Sequence, residues 1–338
     1  MKLSERINVL AYLGAYLKKG NELLDAAIEL TYFHNRWFII ENTQKAIEAI
    51  STAFLQKEVL EKWVSDYDIP EKNTAKKVGL ILAGNIPLVG FHDIMSVFVA
   101  GHIAKIKLSE KDKHLMPHFI KVMAEVDDRV NTYFEITERL LGFDAVIATG
   151  SNNSARYFDA YFGKYPNIIR KNRNAVAVLT GKETPEDFKA LGIDIFQYFG
   201  LGCRNVSKIY VPEAYDFDPL LEALHEYNEI VLNDKYKNNF DYNYTLLILN
   251  SVAHKSNGCI LMTEGQPLQS RIAQLHYEYY KDENDLKSKL DSVKEEIQCI
   301  VSNPMDGLPV IPFGKAQAPA ISDYADGVDT LAFLKNLS

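Results

Sequence analysis

The cysteine at position 203 lies in a stretch whose residue types suit nucleophilic chemistry. Residues 200–205 read GLGCRN, between an apolar helical segment over 195–199 and a β-branched, aromatic strand over 206–211. The two glycines let the backbone adopt conformations that other residues avoid and approach a ligand closely. A neighbouring cation such as Arg204 favours the reactive thiolate. The stretch predicts a nucleophilic thiol, and the alternative is a small buried cysteine in a helix-to-strand corner.

Three predicted strands upstream of this cysteine each end in polar or turn-forming residues. These are Asn85 after the strand over 78–83, Lys107 and Ser109 at the end of the strand over 104–108, and Gly150 with Ser151 after the strand over 145–149. The alternation of these strands with helical patterns predicts a doubly wound parallel sheet, which binds ligands at the carboxyl ends of its strands. A Gly-Ser turn that opens a helix can present backbone amides to a phosphate, and an ordinary helix cap is the alternative. The chain has no GxGxxG and no GxxxxGK[ST], so neither the usual dinucleotide fingerprint nor a P-loop is present.

The other predicted elements place this sheet between a helical segment and a second α/β block. Apolar residues recur at helical spacing over residues 3–66. A second alternation of strands and helices begins near residues 170–174 and contains the cysteine. Within the pattern we predict a helix over 135–141, a loop over 235–242 and a strand over 244–249.

Composition excludes several classes of protein. The chain has 338 residues, 47% apolar and 24% charged, with a net charge of −8. No basic cluster interleaves with aromatic residues, so we expect no nucleic-acid partner. No apolar run approaches the roughly 18 residues that a membrane span requires. Three cysteines without a CxxC fit a reduced, cytoplasmic protein, and we predict no metal site.

Taken in order, these motifs resemble the aldehyde dehydrogenase superfamily, and more narrowly its LuxC-type acyl-CoA reductases. The stretches that carry the resemblance are AGNIPLVGFHDIMSVFVAGH (83–102), KLSEKD (107–112) and GCRNVSKIYVP (202–212). The resemblance implies two α/β domains after an N-terminal helical segment. Residues 1–172 and 306–338 would form a Rossmann-like cofactor domain, and residues 173–305 the catalytic domain with the thiol nucleophile.

The resemblance also implies roles for individual residues. Cys203 matches the nucleophile of the family, and Asn85 matches the amide donor of its oxyanion hole. Lys107 and Ser109 match the adenosine ribose site, and Gly150 and Ser151 match the turn near the pyrophosphate. Phe313 and Gly314 match the mouth of the substrate tunnel. The implied cofactor is NADPH or NADH. The implied substrate is an acyl-CoA, and the resemblance favours a fatty acyl-CoA. A homodimer or a place in a fatty-acid reductase complex is the expected assembly.

Differences between this sequence and the wider superfamily indicate which reaction the resemblance implies. Ile169 stands where aldehyde-oxidising members carry a glutamate that activates water, so an acyl-cysteine would not be readily hydrolysed. Ser154 or Ala155 replaces a usual turn glycine. The resemblance therefore implies reduction of a thioester to an aldehyde. The alternatives are a short-chain acylating (semi)aldehyde dehydrogenase and a non-catalytic subunit of a reductase complex. The role of Arg204 is open among thiolate activation, CoA phosphate binding and a surface ion pair, and no histidine is assigned an acid or base role.

Overall fold

The computed structural model describes residues 1–71 and 74–337. These residues divide into two compact units, which we call unit 1 (Met1–Asn172 with Pro319–Ser338) and unit 2 (Arg173–Ala318). Residues 306–318, placed with the cofactor domain on sequence grounds, lie in unit 2.

Unit 1 begins with helices whose apolar faces pack together, as the helical spacing predicted. In chain order its elements are α1 (Leu3–Lys19), α2 (Glu22–His34), α3 (Ile40–Ala53), α4 (Lys57–Ser65), β1 (Lys77–Ile81), α5 (Phe91–Ala100), β2 (Ile103–Lys107), α6 (Leu115–Val126), β3 (Phe134–Ile136), β4 (Ala145–Thr149), α7 (Asn152–Phe162) and β5 (Asn167–Arg170). Within the described residues the strands form a five-stranded sheet in the order β3-β2-β1-β4-β5, and every pairing is parallel. The predicted helix over 135–141 is wrong, because this segment supplies the short edge strand β3.

Unit 2 carries a second sheet. Its elements are β6 (Asn174–Val178), α8 (Pro185–Phe196), β7 (Val206–Pro212), α9 (Asp218–Leu224), α10 (Asp234–Leu249), β8 (Lys255–Ser256), β9 (Leu261–Glu264), β10 (Gln274–Tyr280), α11 (Glu283–Ser292) and β11 (Ile297–Val301). The strand order among described residues is β11-β6-β7-β10-β9-β8, parallel except for the β8–β9 pair. The predicted loop over 235–242 and strand over 244–249 are wrong. Both belong to α10, which Asn233 caps by accepting hydrogen bonds from two backbone amides.

The chain returns to unit 1 at its carboxyl end, where α12 (Thr330–Lys335) lies against α5. Tyr324 receives a hydrogen bond from the indole of Trp63 at 2.8 Å, and its hydroxyl lies 2.6 Å from that of Tyr67. The buried guanidinium of Arg170 pairs with Asp93 and also donates to the hydroxyl of Thr330 at 2.9 Å. The return segment is thus fixed to α4 and β5 by polar contacts, and it packs against α5.

No helix among the described residues is long and apolar enough to span a membrane.

Candidate active site

The backbone before Cys203 is held in an uncommon conformation. The chain leaves α8 through a single 3-10 turn in which Tyr198, Phe199 and Gly200 have φ angles of 54°, 58° and 73°. Glycine adopts this left-handed region readily, whereas a bulky side chain pays roughly 1–2 kcal/mol. Both aromatic side chains are buried. Two strained aromatic residues persist only where surrounding contacts determine the backbone, and such strain is concentrated at functional sites.

The side chain of Asn205 supplies much of that determination. Its amide nitrogen donates to the carbonyls of Asp194 at 3.0 Å and Gln197 at 2.8 Å, and its oxygen accepts from the backbone nitrogen of Gly202 at 2.8 Å. The backbone nitrogen of Asn205 donates in return to the Gly202 carbonyl at 3.0 Å. Cys203 and Arg204 therefore occupy the tip of a four-residue turn closed at its base.

Cys203 itself is half-buried at this tip, and none of the three cysteines forms a disulfide within the described chain. The guanidinium of Arg204 donates to the carbonyl of Ala316 at 3.5 Å. This contact holds the turn against the segment that contains Ala316, a role that was not among those considered for Arg204 from the sequence.

That segment, residues 312–316, is bound to α8 by Asp194. The carboxylate of this fully buried residue accepts hydrogen bonds from the backbone nitrogens of Gly314 at 2.6 Å and Ala316 at 3.0 Å. Burial raises the pKa of Asp194 to about 6, and the two hydrogen bonds oppose that rise. Unit 2 thus brings the predicted Phe313–Gly314 segment and the Cys203 turn onto the same helix.

In unit 1, the predicted residues collect at one edge of the sheet. Strands β2, β1 and β4 are adjacent and parallel, so the segments that follow them leave from the same edge. Asn85 follows β1, Lys107 ends β2 and is exposed, and Gly150 follows β4. The first two segments touch, because a Cβ on Gly84 would lie 2.2 Å from the hydroxyl oxygen of Ser109.

Asp112 fixes the loop that carries Asn85. One of its carboxylate oxygens accepts from the backbone nitrogen of Leu88 at 2.7 Å, and Leu88 has a left-handed φ of 58°. Asp112 is buried, and desolvation raises its pKa to about 6. Sequence analysis missed this residue, although it ends the quoted stretch KLSEKD.

The Gly150–Ser151 turn opens α7, and the hydroxyl oxygen of Ser151 accepts from the backbone nitrogen of Ser154 at 3.2 Å. A Cβ on Gly150 would lie 2.9 Å from atoms of Ser154 and Phe158, so packing requires glycine there. The side chain of Ser151 therefore acts as a helix cap, and the backbone nitrogen of Gly150 donates to the carbonyl of Arg170 at 3.3 Å.

Sequence analysis also missed the two polar residues around the cysteine turn, Asp194 and Asn205. A signal existed for Asp194, since an acidic residue directly between two isoleucines, Ile193 and Ile195, is a candidate for burial. Two histidines take structural partners: the half-buried His92 and the buried His102 each place Nε2 within hydrogen-bond distance of a backbone carbonyl. Residues 1–71 and 74–337 contain no cluster of histidine, cysteine, aspartate and glutamate that could hold a metal ion.

Comparison with known proteins gives one relative in sequence and many in structure. No protein-family model matches the chain. It is 22% identical over 251 residues to "long-chain acyl-protein thioester reductase 2" of Photobacterium leiognathi, a match that covers 67% of this chain and 52% of the relative. The matched region therefore spans about half of that relative's length.

Solved structures show the fold. Aldehyde dehydrogenase 21 from Physcomitrella patens superposes with a TM-score of 0.71 at 13% identity, covering 100% of this chain and 84% of that one. An NADP-dependent enzyme of E. coli gives a TM-score of 0.66 at 13% identity, with 91% and 74% covered. Indole-3-acetaldehyde dehydrogenase in complex with NAD+ gives 0.66 at 13% identity, with 91% and 73% covered. The chain therefore has the aldehyde dehydrogenase fold, and its predicted resemblance to LuxC-type thioester reductases is confirmed by the sequence match.

Proposed function

We propose that this chain reduces an acyl thioester to the aldehyde through an acyl-Cys203 intermediate, with NADPH or NADH as reductant. The observation that carries the proposal is the Cys203 turn: a half-buried thiol stands at the tip of a closed turn, shortly after three residues held in the left-handed region. The similarity to an acyl-protein thioester reductase supports the choice of reaction.

The proposed reaction starts from the Cys203 thiolate. The Cys203 sulfur attacks the thioester carbonyl and forms a new C–S bond, and the thiolate of CoA or of an acyl-carrying protein leaves with the electrons of the old one. A hydride added to the acyl carbon would give the thiohemiacetal oxyanion. Its collapse returns the thiolate to Cys203 and releases the aldehyde. Asn85 is proposed to donate its amide N–H to the oxyanion of each tetrahedral species, a contribution on the order of 3 kcal/mol.

Ile169 supports reduction rather than hydrolysis. It is half-buried in β5, at the position where the resemblance places the glutamate of aldehyde-oxidising relatives. An aliphatic side chain cannot activate water, so the acyl-enzyme would persist until a hydride arrives.

The edge of the unit 1 sheet fits a nicotinamide dinucleotide. An exposed ammonium (Lys107) and a hydroxyl (Ser109) stand at the carboxyl ends of parallel strands, where dinucleotides bind in such sheets. Gly84 keeps the adjoining loop close to Ser109, since a Cβ there would overlap it. Lys107 and Ser109 would hold the adenosine ribose, and backbone groups of Gly150 and Ser151 the pyrophosphate. When bound, the cofactor supplies the hydride.

The test follows both the covalent intermediate and the product. Purified protein is incubated with saturated acyl thioesters from acetyl to palmitoyl, on CoA and on acyl carrier protein, and intact mass reports the acyl adduct. Separate assays follow NADPH and NADH consumption and aldehyde formation. Wild type and Cys299→Ala, a variant of another half-buried cysteine in unit 2, should form adduct and aldehyde, and Cys203→Ala should form neither. For Asn85→Ala we expect kcat to fall about 10²- to 10³-fold.

Other outcomes would change the proposal. Aldehyde formation by Cys203→Ala would remove the thiol from the mechanism. Activity confined to acetyl and other short chains would favour a short-chain acylating aldehyde dehydrogenase. Absence of both adduct and reduction with every donor would favour a non-catalytic subunit.

A further inference from the structure

The side chain of Asn205 in unit 2 is buried, and both ends of its amide form hydrogen bonds. It is 1% exposed, and its amide nitrogen lies within 3.4 Å of three backbone carbonyls at the end of α8 and in the following turn. Its oxygen accepts from Gly202. Burying an amide is unfavourable unless its hydrogen bonds are replaced, and here each end of the amide has partners.

These bonds connect two parts of the chain that would otherwise be independent. One side of Asn205 binds the carboxyl end of α8, and the other binds the residue directly before Cys203. Between them lie residues 198–200, which have left-handed backbone angles. Aromatic residues such as Tyr198 and Phe199 rarely adopt these angles without support from surrounding contacts. The side chain of Asn205 therefore fixes the turn at Cys203 to the end of α8.

The same bonds extend to a second support. The carbonyl of Asp194 accepts from Asn205, while its carboxylate holds the backbone of Gly314 and Ala316. Arg204, next to the cysteine, donates to Ala316. The tip of the turn is thus attached to the 312–316 segment by two routes, one through Asn205 and one through Arg204.

We infer that Asn205 is a positioning residue for the Cys203 sulfur, acting by fixing the 202–205 turn to the end of α8. The inference rests on the proposed role of Cys203 as nucleophile. It adds a residue that touches neither substrate nor cofactor, and whose loss affects the placement of the thiol rather than its existence.

A matched pair of variants separates this role from general stabilisation. Asn243 on α10 is also 1% exposed in unit 2, and its amide nitrogen donates to the carbonyl of Ile272 at 2.9 Å. Asn205→Ala and Asn243→Ala both delete a buried amide and leave carbonyls without a donor, but only the first touches the cysteine turn. Asn205→Asp provides a second variant that retains the acceptor for Gly202 and loses the donor.

Two measurements are made on each variant whose thermal unfolding shows a folded protein. Single-turnover acylation by palmitoyl-CoA should slow at least about tenfold in the Asn205 variants, because small displacements of a reacting group cost that much or more. Iodoacetamide alkylation of Cys203, resolved by peptide mass, should show a pH midpoint displaced by about half a unit or more, since the thiolate fraction depends on fixed neighbours. Asn243→Ala should acylate within about twofold of the wild-type rate and keep the wild-type pH midpoint of alkylation. Its Tm should nevertheless fall by about as much as that of Asn205→Ala.

The results decide between the two roles. If Asn205→Ala and Asn205→Asp alkylate and acylate like wild type, or if Asn243→Ala shifts them equally, Asn205 is a structural residue only. If Asn205→Ala does not fold, Asn205→Asp gives the decision. If wild type forms no acyl adduct but the alkylation midpoint still moves in the Asn205 variants alone, the proposed function fails and the positioning role stands.

Discussion

Gly84→Ala tests whether the loop that carries Asn85 is in direct contact with the segment that carries Ser109. An alanine Cβ at position 84 would lie 2.2 Å from the Ser109 hydroxyl oxygen and 2.6 Å from its Cβ. The hydroxyl can rotate away, whereas the Cβ of Ser109 is fixed to its backbone. One of the two segments must therefore move, and overpacking of this kind costs about 1–3 kcal/mol.

The assay is a cycle of urea unfolding experiments on wild type, Gly84→Ala, Ser109→Gly and the double variant. Ser109→Gly removes both clashing atoms and costs about 1 kcal/mol in backbone entropy. In that background Gly84→Ala should cost less than about 0.5 kcal/mol, so the cycle should show a coupling close to the full penalty of the single variant. Gly265→Ala is the control, because the nearest atoms to its Cβ lie 3.7 Å away.

A free energy of unfolding for Gly84→Ala within about 0.5 kcal/mol of wild type would refute the contact. An equal penalty with and without the Ser109 side chain would show that the cost arises elsewhere. If Asn85 has its proposed role, aldehyde formation should fall in Gly84→Ala and stay at the wild-type level in the control Gly265→Ala.

Three further outcomes follow from buried polar groups. Burial raises the pKa of Asp112 from 3.8 to about 6, so between these values the folded chain binds more protons than the unfolded one. Stability then falls by about 3 kcal/mol as pH rises from about 4 to 7, and thermal unfolding at the two pH values should show a smaller fall in Asp112→Asn. Arg170→Met should cost about 3–5 kcal/mol in urea unfolding, because it leaves Asp93 buried without its cation, and a cost below 1 kcal/mol would contradict a buried pair. Tyr324→Phe removes the hydroxyl that accepts from the indole of α4, and the same titration should show a loss of about 1–3 kcal/mol.

The core of each unit could be predicted from the sequence where strands are fully buried. Residues 78–83 and 145–149 are largely apolar runs bounded by turn residues, and such runs identify strands of a parallel sheet, whereas residues 104–108 alternate apolar residues with lysine. Their alternation with helices gave the α/β class, which the structural neighbours confirm. The motif order gave the family resemblance.

Short and half-exposed elements could not be predicted in this way. Strand β3 has three residues at the edge of its sheet, too few to show an alternation. The segment 244–249 is rich in leucine and isoleucine like a strand, yet it ends a 16-residue helix in which Ile248 and Leu249 are exposed. A short apolar run fits either state, and here tertiary context decided.

The residues that position the loops of the candidate site could not be identified from the sequence for another reason. Asp112 acts on an amide 24 positions away, and Asp194 on amides 120 and 122 positions away. No local pattern encodes such pairs, because each depends on how the chain has already folded. Sequence patterns thus identified the residues that are candidates for catalysis and binding. The structure was needed to identify the residues that position them.

The return of residues 319–338 to unit 1 constrains the order in which the protein can be made. Those residues supply the Tyr324 hydroxyl beside Trp63 and the Thr330 partner of Arg170, and the ribosome synthesises them after the whole of unit 2. Unit 2 is contiguous in sequence and can mature during translation, since domains generally fold as they emerge. Unit 1 gains these two contacts only after residues 324 and 330 have been synthesised, so its packing is completed later in translation than that of unit 2 can be.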